Sequence, residues 1–194
     1  MHCRPLLVLT TAALLALAEA PARAQAPPDT ATLLAAQRKA MLPLAALDGT
    51  WRGTARVRLP DGSQRDITQT ERIGSLLGGT VKVIEGRGYG PDGQTEFNAF
   101  AVISFAPQTG SYHFNSWAHG HRGDFAFELR PDGFVWTMKF GPVTVRQTAT
   151  VKDGTWVETG EQLMEGRPPI RTVEMKLQRI GPSDWPEAGA VSPR

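Results

Sequence analysis

The residues best suited to chemistry gather between Ser111 and Asp124. Ala118-His119-Gly120-His121 holds two imidazoles one residue apart, a spacing that chelates zinc or copper when a third ligand and ordered surroundings complete the site. Asp124 is the nearest such ligand. Without it the pair is two solvated imidazoles in a polar turn, and no metal is assigned. Just upstream, His113, Asn115 and Trp117 share one parity, and Tyr112, Phe114 and Ser116 the other. In a strand only one set faces the interior. If it is the first, two hydrogen-bonding groups and a stacking surface would orient a guest in an apolar pocket. If it is the second, Tyr112 and Ser116 take that part and His113 lies on the surface.

A second set is acid-base in type. Glu85, Arg87 and Tyr89 share a parity with Val81 and Val83, and Gln147 and Glu161 lie in otherwise apolar rows. Buried carboxylates near an arginine can serve as general acid and base. The same residues also suit an internal ion pair, or a strand end pointing outward. No Gly-x-Ser-x-Gly elbow, Walker-type loop or paired cysteine ligands accompany them. No catalytic residue is therefore assigned, and a barrel enzyme of isomerase or hydrolase type stands as the alternative to a binding protein.

The elements that must position these residues are ten short alternating runs between Gly49 and Arg179, closed by turn signals such as Pro60-Asp61-Gly62, Pro91-Asp92-Gly93 and Asp153-Gly154. Trp51, Gly53, Ala55 and Val57 alternate with Arg52, Thr54, Arg56 and Arg58, and Val173, Met175 and Leu177 with Thr172, Glu174 and Lys176, so one face is buried and the other wet. The pattern predicts an all-β fold, a single antiparallel up-and-down β-barrel of about ten strands with a short N-terminal helix. Between the second and third runs, residues 74–79 read as a glycine-rich connection. Phe100 and Val102 add an apolar second face to their strand, which calls for a cover, either the helix or a partner.

Up-and-down pairing has further consequences. The last run returns beside the first, so Arg179 should lie over the indole of Trp51 and close the floor by a cation-π contact. Residues 60–62, 90–93, 118–122, 141–142 and 165–169 should gather at the opposite rim. There His119, His121, Arg122 and Arg167 could meet the anionic head of a fatty-acid-like molecule whose tail lies inward. The candidate ligand-binding set is thus His113, Asn115, Trp117, His119, His121, Arg122 and Arg167.

The flanks point to export. Arg4, an apolar run from Leu6 to Ala18, and small residues at Ala22 and Ala24 form a secretory signal peptide, residues 1–24, with cleavage leaving Gln25 first. The run is too short for a stable membrane span. Cleavage removes Cys3, the only cysteine, and takes the formal net charge from +2 to about +1 by loss of Arg4, Arg23 and Glu19. No basic block remains to hold nucleic acid. Residues 25–46 read as linker and short helix (32–41, stopped by Pro43), 47–180 as the barrel, and 181–194 as a disordered tail. The expected location is periplasmic or secreted. The sequence leaves the oligomeric state open.

The stretch Leu47-Asp48-Gly49-Thr50-Trp51-Arg52-Gly53, a Gly-x-Trp opening the first strand with an arginine ending the last, resembles the calycin superfamily of lipocalins, fatty-acid-binding proteins and nitrobindins. Leu77-Gly78-Gly79-Thr80 and the run from Gly110 to Trp117 look like an uncharacterised bacterial family of exported lipocalin-like barrels. The resemblance spans Leu47 to Arg179 and implies a small apolar or amphipathic ligand inside the barrel, with no chemistry. Nitrobindin-like proteins hold haem through a histidine near the C-terminal end of the barrel. Here no histidine follows His121, so no cofactor is expected.

Overall fold

The computed structural model describes residues 29–187 and residue 191. The expected signal peptide and its cleavage site lie outside the described residues, as does the end of the expected tail. Ten antiparallel strands close into one barrel: β1 (Gly49–Arg58), β2 (Gln64–Leu76), β3 (Val81–Tyr89), β4 (Thr95–Ala106), β5 (Ser111–Ala118), β6 (His121–Arg130), β7 (Gly133–Phe140), β8 (Val143–Lys152), β9 (Thr155–Met164) and β10 (Ile170–Gly181). Each strand pairs with its neighbours in sequence, and β1 pairs with β10, so no strand edge is left free. This is the up-and-down architecture expected from the alternation.

The floor is built where β1 begins. Trp51 and Arg179 are register partners, and the guanidinium carbon stands 5.0 Å from the centroid of the indole. Trp51 Nε1 donates to the Leu47 carbonyl at 2.8 Å and Arg179 Nη2 to that of Ala46 at 2.6 Å. The segment before β1 is thereby tied beneath the barrel. It consists of α1 (Thr30–Met41), capped by Asp29 accepting from the Thr32 amide, and a 3-10 turn (Leu42–Leu47) that follows at Pro43. Met41, Leu44 and Leu47 are buried in the core. Gln37 and Arg38 donate to the carbonyls of Phe105 and Gly78, and Tyr112 donates to that of Ala40. The helix therefore covers the floor end of β3 and β4. It does not cover Phe100, which stays 39% exposed with its ring 5.8 Å from that of Trp117 on the outer face.

Two boundaries differ from expectation. β2 runs on through Gly74, Ser75 and Leu76, so the glycine-rich connection shrinks to a turn at residues 77–80. Gly74 is required there because Trp185 passes over it: a Cβ would sit 1.9 Å from the Trp185 carbonyl oxygen. Trp185 and Pro186, in the stretch read from sequence as a loose tail, thus lie against β2, with Arg72 stacked 4.6 Å over the Trp185 ring. At the other end, β5 and β6 extend until only His119 and Gly120 separate them, both at positive φ (51° and 76°), as a tight primed hairpin turn demands. Histidine is among the few side chains that tolerate this conformation well.

Candidate functional site

Inward-facing residues change character with depth. Near the floor Trp51, Ile73, Ile103 and Leu177 are sealed, at 1% exposure or less. Toward the rim the inward positions Val57, Phe97, Phe125, Met138, Val145 and Val173 all keep accessible surface. The lumen is therefore packed at the floor, while its inward residues toward the rim stay partly exposed. Its wall on one side is aromatic: Phe114, Phe125, Phe127, Phe134, Trp136 and Trp156 form a chain of ring contacts at 5.3–6.0 Å between centroids.

Where the two halves meet, four polar side chains face inward. On β2, Gln69 Nε2 donates to Glu71 Oε1 at 2.8 Å. On β9, Glu158 accepts from two indoles, Trp156 Nε1 at 3.1 Å and Trp136 Nε1 at 3.3 Å. On β8, Gln147 is 7% exposed, and its Oε1 is the one buried side-chain polar atom among the described residues that has no hydrogen-bond partner. Two glycines make the room. A Cβ on Gly86 would stand 2.8 Å from both Glu71 oxygens, and one on Gly160 would stand 2.6 Å from the Gln147 carboxamide nitrogen and oxygen.

Among the described residues no cation balances these carboxyls. Lys82 is inward and 2% exposed, but its Nζ is committed to Asp48 Oδ1 at 2.5 Å and Ser75 Oγ at 2.8 Å, down at the floor. Arg179 is held on Ala46 and Trp51. Burial accordingly pushes the Glu71 carboxyl up to about 8. The Gln69 hydrogen bond opposes this, and the negative charges of Glu158 and Glu85 add to it. Burial likewise raises Glu158 to about 7, against the pull of the two indole donors. Near neutrality the belt thus holds one or two protons that an ordinary carboxylate pair would have lost.

The residues singled out from sequence fall elsewhere. On β5 the second parity faces in: Tyr112, Phe114 and Ser116 line the lumen, because buried Phe114 joins the aromatic chain and pairs with Ile103. His113, Asn115 and Trp117 stand on the outer face. Asn115 and Arg122 both donate to Asp124, and Arg122 lies 6.0 Å over the Trp117 ring, so Asp124 serves an outer cluster and not the histidine pair. Trp117, His119, His121 and Arg122 do come together with Asn98 around a shallow depression on the rim. His119 packs against Phe97 at 5.4 Å, and His121 is the exposed first residue of β6, paired with Ala118 at the lip. Arg167, in the β9–β10 turn, is four strand intervals away in a ring of ten, nearly across the mouth.

Two acid-base candidates turn outward. Glu85 accepts from Arg72 and Arg87, both at 2.6 Å. Burial works upward on it, but those arginines outweigh burial and hold the carboxyl below its ordinary range. Glu161 faces out beside Arg146 at 2.8 Å, which lowers its pKa, and Gln162 takes the inward place expected of it. Only Gln147 of that group lines the lumen. Glu71 and Glu158 were not singled out, although parity carries them: Glu71 lies two residues before Ile73 and Glu158 two after Trp156. Among the described residues no histidine lines the wall below the lip: His113 faces out, and His119 and His121 stand at the lip. No three His, Cys, Asp or Glu side chains converge among the described residues.

No protein-family model matches the chain, and no curated protein matches it. Among solved structures it is similar to the crystal structure of Rv2717c from M. tuberculosis, with a TM-score of 0.56 at 11% identity, covering 72% of this chain and 96% of that one. The likeness is one of fold.

Proposed function

We propose that this protein is an exported binding protein that takes a small apolar or amphipathic molecule into the upper lumen of its barrel. The observation that supports this reading best is the polar belt itself. Carboxyls and carboxamides facing an aromatic interior are costly unless something meets them, and a barrel evolved only to be stable would fill those places with aliphatic groups. The accessible wall above the belt gives a path from the rim. Export rests on the N-terminal pattern of Arg4, the apolar run and the small residues at 22 and 24.

Native mass spectrometry of the protein recovered from its own host tests both parts. The expected species begins at Gln25 and carries a co-purifying small molecule. A chain retaining Cys3 in a released product would refute export, and a bare barrel whose tryptophan fluorescence is unmoved by any amphiphile would refute lumen binding. An anionic amphiphile would place its head at the lip, so the variant His119→Ala/Arg167→Ala should weaken a fluorescent fatty-acid analogue if that class is the ligand.

A second reading, acid-base catalysis, is favoured by Glu71 and Glu158 titrating near neutrality, where a carboxyl can both give and take a proton. Turnover of a bound ligand that ceases in Glu158→Gln while binding persists would decide for it.

A further inference from the structure

The belt has a direction of need. Apart from the Gln147 amide and whatever proton a carboxyl holds, its donors are engaged: Gln69 Nε2 on Glu71, and the indoles of Trp136 and Trp156 on Glu158. Trp51 Nε1 is spent on Leu47, and Lys82 on Asp48 and Ser75. What is left over is acceptor capacity: the unpartnered, buried Oε1 of Gln147, and carboxyl oxygens on Glu158 and Glu71, each with at most two donors for about four lone-pair sites. Gln147 is the register partner of Gly160 on β9 and of Trp136 on β7, diagonal to Glu158, which pairs with Ala149. The surroundings are indole and phenyl faces, which attract cations as well as apolar bodies.

We infer that the ligand is a small molecule with a flat or flexible apolar body and a protonated amine, its N–H groups directed at Glu158 and Gln147 Oε1, with Glu71 completing the site from β2. This rests on the lumen-binding reading above and names the ligand's head group. A metal ion fits less well, because only two carboxyls and no histidine reach the place and the remaining wall is aromatic. An acidic head fits less well still, since it would meet two carboxyls and, among the described residues, no free cation.

The groups facing the pair are few. From β1 come Trp51, Gly53 and Ala55, from β3 Gly86 and Gly88, from β8 Gln147 and Ala149, and from β10 Met175 and Leu177, all uncharged. The inward cations Lys82 and Arg179 are engaged at the floor, and Glu85 acts through the wall from outside. Binding an ammonium should therefore ionise a carboxyl that was protonated and release its proton to the buffer. Affinity should rise with pH until the amine itself begins to lose its charge.

The test uses three probes of one shape, 3-phenylpropylamine, 3-phenylpropanol and 3-phenylpropanoate, titrated calorimetrically into the released protein in buffers of different ionisation enthalpy. The expected result is that the amine binds about tenfold or more tighter than the alcohol, with proton release and stronger binding at pH 8 than at pH 6. In Glu158→Gln the amine should lose its advantage while the alcohol is unaffected. The wild-type pH trend and proton count stand even if that variant folds poorly. Equal or tighter binding of the alcohol or the carboxylate overturns the ammonium site and leaves lumen binding intact. Amine binding that ignores Glu158→Gln and releases no proton overturns it too. Failure of all three probes, together with a bare barrel from the native host, overturns both.

Discussion

The carboxyl of Glu71 on β2 occupies the space above Gly86 on β3, so close that a methyl group there would meet both of its oxygens at 2.8 Å. The pairing is local chemistry fixed by register, since residues 71 and 86 are direct cross-strand partners. Gly86→Ala should therefore act mainly through Glu71. We expect a loss of about 1 to 3 kcal/mol in urea denaturation, as for an overpacked core. Glu71→Ala should relieve most of it in the double variant, giving a coupling above about 0.5 kcal/mol. Additive losses would show that the glycine answers to something else.

Stability should fall as the solution becomes alkaline across a window set by the belt. Glu71 and Glu158 hold their protons more tightly folded than unfolded, where the value is near 4.5, so their contribution is complete below about pH 4.5. It drains away as the pH rises through about 7 for Glu158 and about 8 for Glu71. Glu85 and Glu161, lowered on the outer face, act in the opposite sense and only below the ordinary carboxylate range. Thermal melts of wild type between about pH 5 and 8 should show the decline, and Glu71→Gln/Glu158→Gln should flatten it. A decline of equal slope in the double variant would place its cause outside the belt.

At the floor, Trp51 joins a T-shaped contact with Trp156 at 5.9 Å to its hydrogen bond with Leu47 and its place under Arg179. Trp51→Ala should cost about 3 to 5 kcal/mol, because a sealed indole leaves a cavity. Arg179→Leu should cost only about 1 kcal/mol, the scale of one cation-π contact at a partly exposed site. Denaturation midpoints that reverse this order would show that the arginine, not the indole, closes the barrel.

This same pair shows what the sequence carries well. Strict alternation in β1 and β10 fixes parity over nine or ten residues, and parity plus up-and-down order brings residues 51 and 179 together without any knowledge of distance. On β5 the alternation is ambiguous, because His113, Asn115 and Trp117 are as mixed in polarity as Tyr112, Phe114 and Ser116. The outcome is decided by which aromatic meets Phe125, Phe127 and Trp136, a fact of tertiary packing. Glu71 and Glu158 escape notice for another reason. A lone glutamate in a strand is read as a solvent-facing residue, and only its step of two from Ile73 or Trp156 says otherwise. Glu161 errs the other way, because a register reading one residue off turns every side chain to the opposite face.

The ion pair between Lys82 and Asp48 is lopsided, and its loss should be too. The ammonium side chain is 2% exposed and the carboxylate side chain 38%. Removing the lysine leaves a carboxylate that water can reach, whereas removing the aspartate leaves a buried ammonium with only Ser75 Oγ, at 2.8 Å, to meet it. An isolated buried charge is the expensive case. Lys82→Met, which keeps the apolar stem, should therefore cost about 1 to 2 kcal/mol, and Asp48→Asn about 3 kcal/mol or more. In the double variant Lys82→Met/Asp48→Asn the loss should fall back toward that of the lysine variant alone. Urea midpoints measured side by side at neutral pH settle the order, and a lysine variant as damaged as the aspartate variant would mean that Lys82 supports the floor by packing and not by charge.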